Sequence, residues 1–211
     1  IRTQNAEHND QARARYYDRF RGRVIFTLKD HRGNIVGFSG RQLDQQAKEA
    51  KYPSASSGRE QPKYINTSET PVYNKSNLLY GLDVTKDAII KENQAVVMEG
   101  EFDVISSFQA GIGNVVAIKG SALTEGHVHL LKRFAEKIVL ALDSDMAGDA
   151  ASRRGIAIAD KAELEIRVAS IPTGKDPDEA VRESPGLLKK FIKEAEPIYD
   201  IKMIERSLPH K

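Results

Sequence analysis

Ala95-Val96-Val97-Met98-Glu99-Gly100-Glu101-Phe102-Asp103-Val104 is the stretch that decides the fold. Four apolar residues in a row read as a short strand buried on both faces. Glu99-Gly100 turns the chain, with Gly100 permitting close packing or an unusual backbone angle, and a helix is expected over Phe102–Ala110. The pattern repeats downstream. Strands are expected at Val115–Ile118, Ile138–Leu142 and Glu165–Ile171, and helices at Thr124–Ala135 and Ala147–Ala162. Such a βαβαβαβ order implies an α/β fold with a mostly parallel sheet flanked by helices. Sites in open parallel sheets form outside the carboxyl ends of the strands. Acids stand at three of those ends: Glu99, then Asp143 and Asp145, then Asp176 and Asp178. Asp103, four residues past Glu99, is one helical turn on and can face the same edge. Carboxylates gathered on one edge repel unless protonated or bridged by a cation. A magnesium site acting on phosphates resolves this economically, because Mg²⁺ takes oxygen ligands.

The chain on either side is different in kind. Arg23–Leu28 and Ile35–Ser39 read as the arms of a hairpin around the turn Asp30–Asn34, and Lys63–Asn66 as a further short strand. Residues 1–20 suggest a polar helix leading into Phe20, residues 44–62 a polar loop without apolar period, and the stretch from Val84 to Lys91 a helix. After Asp178, helices are expected at Glu179–Glu183, Leu187–Ala195 and Ile198–Leu208, with Pro185 and Pro197 marking starts. Among 211 residues with net charge +2, residues 1–75 carry fourteen Lys and Arg against eight Asp and Glu. A basic front joined to an acidic back suits a polyanion-binding surface beside a metal-binding one. The absence of cysteine excludes a disulfide scaffold and a Cys-based zinc ribbon within this stretch. No apolar run approaches the roughly 20 residues that span a bilayer. The chain opens on Ile1 rather than Met, the mark expected of a piece of a longer protein.

Val97-Met98-Glu99-Gly100-Glu101-Phe102-Asp103-Val104, Leu142-Asp143-Ser144-Asp145-Met146-Ala147-Gly148 and Gly174-Lys175-Asp176-Pro177-Asp178-Glu179 together resemble the Toprim signature in its primase form. Arg21–Phe26, Gly33–Arg41, Pro62–Pro71, Asn74-Lys75 and Leu79–Leu82 resemble the basic N-terminal subdomain of the same family, the bacterial DnaG-type primases. The resemblance covers roughly residues 17–185. Glu101-Phe102 departs from the Tyr-Met common in that family and adds an acid near the site, and Ser144 replaces the usual Gly.

The resemblance implies a Toprim-type sheet with a small basic α+β subdomain at 1–91, the Toprim catalytic subdomain at 92–180, and the start of a C-terminal helical subdomain at 181–211. It implies template-directed synthesis of RNA primers on single-stranded DNA during replication, with Mg²⁺ or Mn²⁺, two or more ions, and no zinc held by this segment. Glu99, Asp143 and Asp145 would be the principal ligands, with Asp103, Asp176 and Asp178 auxiliary. Arg41, Lys63, Tyr64, Asn66 and Lys75 would contact nucleotide or template. The implied partners are the single-stranded template, nucleoside triphosphates, an RNA–DNA hybrid product and, through a domain missing here, the replicative helicase. No membrane partner is implied, and the location would be the bacterial cytoplasm, at the nucleoid. A Toprim nuclease or another nucleic-acid-processing phosphotransferase would use the same acids. Phosphatase and receiver folds also cluster aspartates, but neither explains the Lys63–Pro71 segment.

Overall fold

The computed structural model describes residues 18–43, 62–119, 122–142, 157–158, 161–172 and 176–198. The chain divides into two compact units, one of residues 1–27 and 37–68, the other of residues 28–36 and 69–211. The helix expected at residues 1–20, the 44–62 loop, the body of the 147–162 helix and the 198–208 helix lie wholly or mostly outside the described residues.

The hairpin forms as its sequence suggests. Strand β1 is Arg23–Lys29 and β2 is Ile35–Gln42. The Asp30 carboxylate accepts the N–H groups of Arg32 and Asn34, each at 2.9 Å, closing the turn. Gly33 supplies the left-handed residue there, at φ +92°. Strand β3, Tyr64–Asn66, pairs antiparallel with β2 in the register Ser39 to Asn66 and Arg41 to Tyr64. The Arg23 guanidinium donates to the carbonyls of Gly40, Pro62 and Lys63 at 2.9–3.1 Å, pinning the segment that enters β3.

The second unit is built on a sheet of order β5-β4-β6-β7-β8. Its strands are β4 (Gln94–Met98), β5 (Val115–Ala117), β6 (Lys137–Leu140), β7 (Glu165–Val168) and β8 (Glu196–Pro197). β4 runs parallel to both β5 and β6, and β6 parallel to β7. β8, antiparallel to β7, was not expected. Two residues carry no periodicity; Pro197 ends this edge strand, a place where its missing N–H is tolerated, and Ile198 directly after it is helical, so Pro197 also stands at the expected helix start.

Side chains alternate across β4 because a strand has period two. Ala95 and Val97 face a cluster with Val116, Ile138, Leu140, Leu82 and Ile89 of helix α1 (Leu82–Glu92), and Val128 and Leu131 of helix α3 (Glu125–Leu131). Val96 and Met98 face the opposite cluster. It contains Val104 of α2 (Glu101–Gln109), Ala180 and Val181 of α4 (Pro177–Glu183), and Leu188 of α5 (Pro185–Lys193). The result is a sheet between two helical layers, with Ala95–Met98 wholly buried at its centre. Helix α3 is shorter than expected. It ends at Leu131, and residues to Ala135 form tight turns with Phe134 N–H bonded to the Leu131 carbonyl. No helix among the described residues is long and apolar enough to cross a membrane.

Candidate active site

Strand order determines where a site can form. From β4 the chain crosses to β5 on one side, whereas from β6 it crosses to β7 on the other. The carboxyl ends of β4 and β6 therefore flank a topological switch point, the crevice where open α/β sheets bind ligands. Val97 pairs with Leu140, and Ala141 N–H continues the ladder to the Val97 carbonyl at 2.9 Å. Glu99 leaves β4 at this edge, half-buried, and Leu142 leaves β6 at the same edge. Asp143 and Asp145, which follow Leu142, lie outside the described residues.

The other acids are placed individually. Asp103 sits in the first turn of α2, buried, and its Oδ2 accepts the Gly100 N–H at 3.0 Å. It thereby satisfies one of the unpaired donors at the helix start. Asp176 caps α4, with Oδ1 accepting the Glu179 N–H at 2.7 Å. Asp178 accepts from the Ser106 hydroxyl of α2 and forms an ion pair with Arg182 at 2.8 Å. Asp103 and Asp176 each commit at least one oxygen within the protein, and Asp178 commits both. Among the described residues, no three His, Cys, Asp or Glu side chains gather closely enough to hold a metal. A metal set here rests on Glu99 with acids from the run after β6. Its donors would be carboxylate oxygens, the hard ligands that suit Mg²⁺ or Mn²⁺.

The basic residues fall in two places. In the first unit, Arg41 of β2 lies over the Tyr64 ring, 5.7 Å from its centroid, with Asn66 half-buried further along β3 and Lys63 exposed just before it. In the second unit, Lys75 opens a single 3₁₀ turn, Lys75–Asn77. Helix α3 holds that turn. The Thr124 hydroxyl donates to the Ser76 carbonyl at 2.5 Å, and His127 Nε2 lies 3.1 Å from the Lys75 carbonyl. A Cβ on Gly126 would fall 1.8 Å from Asn77 Oδ1, so only glycine allows this approach.

Two features escaped the sequence reading. Lys119, just past β5, is buried in an ion pair with Glu101, whose carboxylate is buried as well. Burial pulls the Lys119 ammonium below its ordinary range, with Glu101 opposing that shift. The neighbouring Tyr80 phenol is pushed up to about 12, chiefly by burial and then by the Glu101 charge. A charged residue closing the apolar run Val115-Val116-Ala117-Ile118 was the available signal, of the same kind that marked Glu99. The second is the cradle of Thr124, Gly126 and His127, for which the sequence offers only a helix start.

Known proteins match this arrangement. Residues 96–181 match the Toprim-like family, and residues 2–86 match the DNA primase catalytic core, N-terminal domain. The DNA primase of Clostridium acetobutylicum is 44% identical over 168 residues, which are 80% of this chain and 26% of that protein. The Aquifex aeolicus primase, solved with its zinc-binding and RNA polymerase domains, superposes with a TM-score of 0.78 at 32% identity, covering 94% of this chain and 47% of that one. A DnaG primase catalytic domain solved bound to single-stranded DNA gives a TM-score of 0.76 at 31% identity, covering 90% and 57%. The chain spans about a quarter of the length of the curated relatives it matches. A Toprim-like sheet preceded by a primase core N-terminal segment, found together and in that order, makes this chain a member of the DnaG-type DNA primase family.

Proposed function

We propose that this chain carries the catalytic core of a DNA primase and supports template-directed synthesis of short RNA primers on single-stranded DNA during replication. The observation that carries the reading is Glu99 at the end of β4, beside the parallel strand β6 that leads into Asp143 and Asp145. The solved relative bound to single-stranded DNA supports a nucleic-acid partner of the same kind.

Glu99, Asp143 and Asp145 would be the principal ligands of two or more Mg²⁺ or Mn²⁺ ions, with Asp103, Asp176 and Asp178 in an auxiliary role. Such ions lower the pKa of a hydroxyl and neutralise charge on a transferring phosphoryl group. The chain's own part is placement. Asp103 holds the Gly100 N–H and so fixes the turn that carries Glu99. Arg41, Lys63, Tyr64, Asn66 and Lys75 contact triphosphate or template, with Arg as a forked donor, Lys as a point charge and Tyr64 as a stacking surface. The 3′-hydroxyl attacks the α-phosphate of the incoming nucleoside triphosphate and pyrophosphate leaves, giving an RNA–DNA hybrid. Residues 1–91, 92–180 and 181–211 act as basic subdomain, catalytic subdomain and start of the helical subdomain. The longer protein works in the bacterial cytoplasm at the nucleoid and meets the replicative helicase through another domain.

The test is incorporation of labelled ribonucleotides on a single-stranded template, with Mg²⁺ or Mn²⁺, comparing the wild type with Glu99→Gln. Synthesis that drops by a factor of roughly 100 or more in Glu99→Gln is expected, since a removed charge-stabilising group costs that much. Equal synthesis by the variant would sink the ligand assignment, and cleavage without incorporation would favour a nuclease.

A further inference from the structure

Glu101 lies two residues from Glu99 and two from Asp103, so three acids crowd five positions of sequence. Residues two apart have Cα atoms at most about 7 Å from each other, well inside the range of strong charge interaction. Yet Glu101 is only 3% exposed, and the ammonium of Lys119, itself 7% exposed, meets its carboxylate.

Lys119 reaches it from the neighbouring strand. Met98 pairs with Ala117, and the Ile118 N–H bonds to the Met98 carbonyl at 3.0 Å, which brings Lys119 alongside the Glu99–Glu101 turn. Lys119 takes a left-handed backbone, φ +58°, one of three non-glycine residues with positive φ among those described. A lysine in that region carries backbone strain, and strain of this kind gathers at functional sites. The Tyr80 ring lies 6.0 Å from the ammonium, and Tyr80 itself is tied to Ala117 by two backbone hydrogen bonds. Fold stability alone is a weak reason for such a pair, because an apolar pair of similar volume stabilises a core as well or better.

We propose that Lys119 is a positioning residue that neutralises Glu101 and keeps it out of the cation-binding set at the β4 end. The proposal rests on the metal reading of Glu99 given above. The pair leaves Glu99 as the acid at the carboxyl end of β4, while Glu101 begins α2 without adding net charge.

The test uses Glu101→Met, Lys119→Met and the double variant, each a straight apolar chain of similar length. Mn²⁺ binding to the metal-free protein is followed by the paramagnetic resonance of free Mn²⁺, with thermal melting alongside. Lys119→Met exposes an uncompensated carboxylate and binds Mn²⁺ roughly tenfold tighter. Glu101→Met removes a negative charge while the Lys119 ammonium stays, and binds roughly tenfold weaker, as a unit charge at this range dictates. The double variant returns to within about threefold of wild type. Loss of binding in both Glu101→Met and the double variant would make Glu101 itself a ligand and overturn the proposal, as would unchanged affinity in both single variants. Each single variant melts roughly ten degrees lower and the double variant less so; additive losses overturn the pair. Should a single variant fail to fold, a double variant that folds and binds Mn²⁺ like wild type supports the proposal, and one that does not overturns it. A wild type with no saturable Mn²⁺ binding, or a Glu99→Gln variant that binds as wild type does, overturns the metal reading instead.

Discussion

His127 is fully buried, and both of its ring nitrogens have partners. The Thr124 N–H lies 3.4 Å from Nδ1, and Nε2 lies 3.1 Å from the Lys75 carbonyl. Those partners assign the proton to Nε2, because a carbonyl can only accept. Burial holds the imidazole below its ordinary range despite hydrogen bonds to the Lys75 and Leu78 carbonyls, and the Lys75 charge adds to the depression. The unfolded chain takes up a proton near pH 6.5, while the folded chain resists until lower pH. The contribution of this ring to stability is therefore complete above pH 6.5 and is lost as pH falls through the depressed folded value. Denaturant midpoints measured between pH 8 and 5 should show a loss that His127→Gln lacks. A variant with the same pH profile as wild type would remove His127 from the account. The helix around it was legible in the sequence, but the strut-like role of His127 needed the Lys75 turn to be seen beside it.

Helix α3 is the element that presents that turn. Its N-cap Thr124 bonds both the His127 N–H and the Ser76 carbonyl, and Gly126 allows the contact. A methyl at Gly126 would also meet the Ser76 carbonyl oxygen at 2.6 Å, and backbone cannot give way as a side-chain tip can. Gly126→Ala is expected to cost about 1–3 kcal/mol of stability, as overpacking does. Because the displaced turn carries Lys75, KM for nucleoside triphosphate should rise more than kcat falls. Steady-state kinetics on folded variant protein checks this, and an unchanged KM would separate the turn from nucleotide binding. Elements of this kind divide by what sequence can encode. The strands β4 to β7 and the helices α1, α2, α4 and α5 were legible to within a few residues because each buries a repeating apolar face. The short α3 and the two-residue β8 were not, since contacts with distant segments decide where they stop. The acids followed the same division. Their positions at strand ends were visible, whereas the use of Asp178 as a bridge from α4 to Ser106 of α2 was not.

At the scale of the whole molecule, net charge +2 conceals a basic first third and an acidic remainder. The first unit bears Arg41, Lys63 and Tyr64 on its small antiparallel sheet, and the second bears the carboxyl-edge acids. Binding of single-stranded DNA should weaken linearly in log–log form as salt rises, by about 0.7 for each phosphate contact. Arg41→Ala and Lys63→Ala should each lower that slope by about 0.7, measured by fluorescence anisotropy of a labelled oligonucleotide. A variant that loses affinity with its slope intact would be acting through fold rather than phosphate. The parallel sheet of the second unit also bears on how copies of the chain behave toward one another. Among the described residues, both flanks carry antiparallel contacts, Tyr80 against Ala117 on β5 and β8 against β7. Exposed strand edges template association between chains, and short or proline-bearing edges discourage it. With Pro197 in β8 lacking an N–H to offer, that flank is a poor template for a second copy of the chain to join the sheet edge to edge.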